Sequence, residues 1–127
     1  MVSTIFPAVA PSASSARRFV VSALKREGVS SDRIELAALL TSELVTNVFL
    51  HARTEARVQV RVDDRVRVEV FDAGVGGVRL RPSNPEAIHG RGLQIVDALA
   101  DDWGHADTAS GARVWFEIAR EAAPVQG

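Results

Sequence analysis

The chain contains no cysteine. That absence excludes a disulfide framework, a thiolate nucleophile and any cysteine metal site, and it suits a reducing compartment. Charge of one sign is missing as well. Fifteen Lys and Arg stand against 16 Asp and Glu, a formal net charge of −1, so no general attraction to nucleic acid is expected. No apolar run approaches the roughly 20 residues needed to cross a bilayer, so no membrane span is expected. No basic residue precedes Arg17, and the apolar stretch Ile5 to Ala10 is short and interrupted by Pro7, which argues against a secretory signal. Internal repeats and low-complexity blocks are also lacking. These exclusions lead to the expectation of a soluble cytoplasmic protein whose residues 1–127 form one domain, long enough for a single proper core.

What is present divides by period. Ser12, Ser14 and Ser15 offer N-cap hydroxyls for a helix to about Glu27, stopped by Gly28, with Phe19, Val20, Ala23 and Leu24 at helical spacing. The linker Val29-Ser30-Ser31-Asp32 precedes a second helix, about Arg33 to Ala52, with a broad apolar face from Ile34 to Val48. The period then changes to two. Val58, Val60 and Val62 alternate with Arg57, Gln59 and Arg61; after Asp63-Asp64, Val66, Val68 and Val70 alternate with Arg65, Arg67 and Glu69. Such alternation predicts two antiparallel strands, each with one buried and one solvated face. Val2 to Val9, with its Pro7, reads as an edge strand or extended arm. Residues 76–89 hold no sustained period and read as a loop. A helix from Arg91 to about Asp101 follows, then strands around Trp103 to Thr108 and Arg113 to Ala119 about a turn at Ser110-Gly111. The fold class expected is α+β: a two-layer α/β sandwich with a mixed, mostly antiparallel sheet and helices on one face.

Three motifs punctuate this framework. Glu43, Asn47 and His51 recur every four residues and so share a helical stripe. A carboxylate there suits a general base, and an amide oxygen suits a hard cation such as magnesium. Asp72 ends an apolar strand and opens Asp72-Ala-Gly74-Val-Gly76, where an acceptor for an amino group is followed by glycines that admit close backbone approach. Gly90-Arg91-Gly92-Leu93 starts a helix, whose free N–H groups favour phosphate. Taken singly these are a polar helix face, an Asp-x-Gly turn and a loop-to-helix turn. Their order along one chain points to an ATP site. No Walker loop is present, and His51 and His89 lack ligand-spaced partners. Trp103 and Trp115 read as core or edge packing, and Arg57, Arg61, Arg65 and Arg67 as a basic stripe on the outer sheet face.

With these motifs assembled, the chain resembles the histidine-kinase-like ATPase superfamily that includes gyrase and sensor kinases, and within it the small bacterial anti-sigma factor and serine-protein kinase branch. Glu43-Leu-Val-Thr-Asn47-Val-Phe-Leu-His51-Ala, Asp72-Ala-Gly74-Val-Gly76 and Gly90-Arg-Gly92-Leu-Gln-Ile-Val carry the likeness, which runs from about Ser12 to Ala119. The resemblance implies a left-handed-crossover (Bergerat-type) ATP-binding sandwich with ATP and Mg2+ as cofactors. It implies Glu43 as base, Asn47 on magnesium and Asp72 on adenine, with Gly74 and Gly76 beside the base. Gly90, Arg91, Gly92 and Leu93 would lie at the phosphates, and residues 76–89 would form a lid. It also implies a serine-bearing anti-anti-sigma (STAS-type) protein as substrate, a sigma factor as a further partner, and dimerisation. A nucleotide-sensing module that acts by partner binding is the alternative. Relatives often place threonine after the final glycine; here Ala112 follows Gly111, and the missing hydroxyl corresponds to about 0.5–1.5 kcal/mol of nucleotide affinity.

Overall fold

The computed structural model describes residues 1–72, 91–108 and 111–121. Strand β1 (Val2–Phe6) leads into helices α1 (Ser12–Arg26) and α2 (Ser31–Asn47), and α2 runs on into a π-turn, Val48–Ala52. Then come β2 (Ala56–Val62), β3 (Arg65–Asp72), α3 (Arg91–Leu99), β4 (Asp102–Thr108) and β5 (Gly111–Ala119). The strands form one five-stranded sheet in the order β1-β2-β3-β5-β4.

Alternation builds the two layers. Val58 and Val60 of β2, Val66, Val68 and Val70 of β3, and Phe116 and Ile118 of β5 all point inwards and are buried. Onto that face pack Ala16, Val20 and Leu24 of α1, Ile34, Ala37, Leu40, Leu44 and Val45 of α2, and Leu93 and Val96 of α3. The opposite face carries Arg57, Gln59, Arg61, Arg67, Glu69, Arg113, Trp115 and Glu117. The α+β two-layer sandwich is therefore the observed fold. Every pairing among the described residues is antiparallel, so the mixed sheet expected from the sequence is corrected. Because β5 lies between β3 and β4, those two strands run parallel to each other without touching, and α3 belongs to the connection between them.

Local chemistry sets the boundaries. Glycine 28, at φ +72°, ends α1 with a left-handed cap: Val29 N–H donates to Leu24 O and Gly28 N–H to Lys25 O, each at 3.2 Å. The serines proposed to cap α1 do not do so; Pro11 holds the N-cap position and Ser12 is already helical. Helix α2 starts at Ser31, two residues before the predicted Arg33, because Ser30 supplies the extended N-cap and its carbonyl accepts from Ile34 N–H at 3.0 Å. The Ser30 hydroxyl instead bonds Asp32 Oδ1 at 2.9 Å, which holds that exposed carboxyl below its ordinary value, with Arg33 adding to the effect.

The outer face is not the plain basic stripe read from the sequence. Glu69 sits among Arg113 (3.0 Å), Gln59 (3.4 Å) and Arg67 (3.5 Å), and Arg67 also pairs with Glu117 at 2.8 Å. The Arg67 guanidinium covers the Trp115 ring at 4.1 Å, and Arg57 covers Phe71 at 4.6 Å. The two tryptophans thus occupy different layers. Trp103 packs against the core while its Nε1–H donates to Asp97 Oδ1 at 2.8 Å, tying α3 to β4.

In α2, the Thr41 side chain is fully buried, and its hydroxyl has no partner among the described residues. Such a group costs desolvation without return. Thr41→Val is accordingly expected to hold or raise stability in urea unfolding, by up to about 1 kcal/mol. A loss larger than that would contradict the assignment of the hydroxyl as unpartnered.

Candidate functional site

Topology brings two of the three motifs to one end of the sandwich. The chain leaves α2 after Asn47, passes through the π-turn and Arg53, and re-enters the sheet at Ala56. Ala56 is the direct partner of Asp72 in the β2–β3 ladder. Asn47 and Asp72, 25 positions apart in the sequence, therefore belong to the same end of the molecule. Helix α3 packs beside α2 in the helical layer.

Glu43 and Asn47 lie one turn apart on α2, both half-buried. Among the described residues neither side chain makes a hydrogen bond or ion pair. A carboxylate and an amide on one stripe, partly removed from water and uncommitted among the described residues, constitute an oxygen-rich donor set suited to magnesium and to a hydroxyl nucleophile. Among the described residues no cluster of three or more His, Asp or Glu could hold a metal by itself. A magnesium ion here would therefore take ligand oxygens from phosphate and water beside Asn47.

His51 does not extend this stripe by the same geometry. Residues 48–52 form a π-turn, closed by Arg53 N–H donating to Val48 O at 2.9 Å, five residues back. The wider turn breaks the four-residue spacing past Asn47. Arg53, in the left-handed region at φ 57° and ψ 32°, ends it. The His51 side chain lies outside the described residues.

Asp72 closes β3 as the sequence predicts, and β5 holds it there. The Ala112 N–H donates to Asp72 Oδ1 at 3.0 Å. Beside it, Gly111 stands at φ +150°, where a side chain is strained. A Cβ on Gly111 would overlap the Asp72 carbonyl oxygen and come within 2.8 Å of Oδ1. Only a glycine admits this approach. The sequence pointed to Gly111 and Ala112 as a departure in side-chain chemistry; the structure shows that the contact to Asp72 is made by backbone. No sequence period or motif signals a backbone donor.

In α3, Arg91, Gly92 and Leu93 form the first turn, whose N–H groups have no intrahelical acceptor. Leu93 is buried at 2% exposure, so its side chain serves the core, and only its backbone is available to a phosphate. Side chains at 91 and 92 fall outside the described residues. So do Gly74, Gly76, Gly90, His89 and the whole predicted lid, residues 76–89.

The described residues offer chemistry compatible with a nucleotide: a carboxylate at the end of β3, an amide with a carboxylate on α2, and the first turn of α3. No helix among the described residues is long and apolar enough to cross a membrane. Comparison with curated proteins finds no match. A family model described as "Histidine kinase-like ATPase domain" matches residues 6–118, nearly the whole chain and all three motifs. The chain belongs to the histidine kinase-like ATPase domain family.

Proposed function

We propose that this protein binds Mg-ATP and transfers the γ-phosphoryl group to a serine of an anti-anti-sigma (STAS-type) partner, acting as a serine-protein kinase and anti-sigma switch in the cytoplasm. The single observation that carries the reading is the uncommitted, half-buried Glu43–Asn47 pair at the same end of the fold as the backbone-held Asp72. A sigma factor as second partner and a homodimer as the working state go with this reading through the likeness to the anti-sigma branch.

Each residue has a chemical task. Asp72 accepts from the adenine amino group, and the first-turn amides of α3 meet phosphate oxygens. Asn47 would hold magnesium through its amide oxygen, and the ion would supply charge neutralisation on the phosphates. Glu43 orients the serine hydroxyl and takes its proton as the hydroxyl oxygen bonds to the γ-phosphorus. The bond from that phosphorus to the β–γ bridging oxygen breaks, and ADP leaves with the electron pair. Such transfer is governed by positioning and charge, so it matters directly that Glu43 has no partner among the described residues.

A nucleotide-sensing module without catalysis is the second reading, motivated by Ala112. The backbone bond from Ala112 to Asp72 weakens that motive, because the aspartate is held without a hydroxyl at this position.

Three substitutions test these roles. Asp72→Ala is expected to weaken ATP binding by roughly 1.5–3 kcal/mol in a calorimetric titration, the worth of a hydrogen bond to a charged group. An unchanged dissociation constant removes Asp72 from the site. Asn47→Ala should reduce binding chiefly when magnesium is present; equal losses with and without the ion would contradict its role. Glu43→Ala should retain nucleotide binding and lose phosphate transfer to a verified cognate partner, and undiminished transfer would sink the kinase assignment.

A further inference from the structure

We propose that β1 receives an extended, acidic segment of a partner protein, which adds to the sheet as a further strand beside helix α1. The inference goes beyond the nucleotide reading and does not depend on it.

Three observations carry it. First, the two edges of the sheet are finished differently. Edge strand β4 contains Asp102 and Asp107, charges of the kind that discourage a further strand. The other edge, β1, has no charge, no proline and no bulge in its register with β2. Val2 and Ile5 are 38% and 55% exposed, and among the described residues the strand pairs with β2 alone. Its outward-facing backbone groups therefore have no ladder to join.

Second, positive charge is gathered at this edge. Glu27 is the first acidic residue of the chain, and Arg17, Arg18, Lys25 and Arg26 all precede it. All four lie exposed on α1, in a protein whose formal net charge is −1. None pairs with a carboxylate among the described residues; Arg18 donates to the Ser14 and Ser15 hydroxyls, at 3.3 and 3.2 Å. Helix α1 lies over β1 and β2, where Phe19 meets Phe6 at a ring-centroid distance of 6.0 Å, so its cations flank the open edge. Such uncompensated charge favours carboxylates.

Third, a cavity of about 330 Å³ lies where the β1–β2 end meets the last turn of α1. Val2, Ala23, Val60 and Val62 form its apolar lining. Its charged groups balance, with Arg26 and Arg61 against Glu27 and Asp63. Successive side chains of a strand point to opposite faces, so an added strand sends every second one to the side of this cavity. In strand addition the backbone bonds supply affinity, and such a pocket selects the side chain. The segment that fits is extended, with an aliphatic residue for the cavity and carboxylates for the exposed cations of α1. A second copy fits less well. Pairing β1 with its own counterpart about a two-fold axis would bring two α1 helices, each with four cations and no acid, to one seam.

The experiment titrates the folded protein with a short synthetic peptide of alternating valine and glutamate, and follows hydrogen exchange at the β1 amides. Saturable binding is expected, with slowed exchange within Val2–Phe6. A valine–lysine peptide should bind at least about tenfold more weakly, and the Arg18→Glu, Lys25→Glu double variant should reverse that order. Protected Val68 and Phe116 amides show that this variant is folded. The valine–glutamate peptide N-methylated along its backbone should lose binding, since it keeps its charges but cannot complete a ladder. No saturable binding, equal binding of the lysine peptide, or undiminished binding of the methylated one would each overturn the proposal. So would a protein that sediments as a dimer with its β1 amides protected and that the peptide does not dissociate, which assigns the edge to a second copy.

Discussion

Strand β3 is the constraint on which the rest of this structure depends. It is paired along its length on both sides, to β2 and to β5, and its alternating residues serve both faces at once. Val66, Val68 and Val70 put apolar area under the helices, while Arg67, Glu69 and Phe71 face the other way, Glu69 buried beneath its ion pairs and Arg67 and Phe71 half-buried. A slip of one residue in either pairing would exchange these faces, burying arginines and exposing valines. The register is therefore strongly specified, and it fixes where the strand ends. Asp72 is that end, opposite Ala56 on one side and against Gly111 and Ala112 on the other.

From this strand the site follows by geometry. The helical layer is bound to the inner valines, so the C-terminal turn of α2, with Glu43 and Asn47, comes to the edge where Asp72 stops. On the far side of the sheet, Glu69 gathers Arg67, Arg113 and Gln59 around it. Arg113 follows Ala112 directly, so the outer ion network and the inner contact to Asp72 share the same short stretch of β5. A charged outer face that satisfies itself this way stiffens the ladder without competing for the polar groups of the inner site. At the opposite end of the sheet, Arg120 donates to the carbonyls of Glu27 (2.7 Å) and Asp63 (3.0 Å), holding the α1–α2 corner and the β2–β3 turn together.

Much of this was legible in the sequence because it depends on period and on side-chain type. Alternating valines gave β2 and β3, Gly28 gave the end of α1, and the apolar run before Asp72 gave the strand terminus. Other features were hidden because they depend on backbone. The π-turn at Val48–Ala52 has no residue signature, so the stripe from Glu43 through Asn47 was extended to His51 as though the helix were regular. The hydrogen bond from Ala112 to Asp72 comes from a main-chain N–H that any residue except proline carries. Judged by its side chain, Ala112 looked like a loss; judged by its amide, it holds the aspartate. The basic stripe failed for another reason. Within-strand alternation puts Glu69 on the face of Arg65 and Arg67, but only cross-strand register brings Glu117 and Arg113 to the same face.

Calorimetric titration of the folded wild-type protein with ATP in the presence of magnesium tests the central claim most directly. Saturable binding of one nucleotide per chain, weakened when magnesium is withdrawn, is the result that the arrangement of Glu43, Asn47 and Asp72 requires. Absence of any binding heat or competition at millimolar ATP, with the protein shown to be folded in the same buffer, would contradict it.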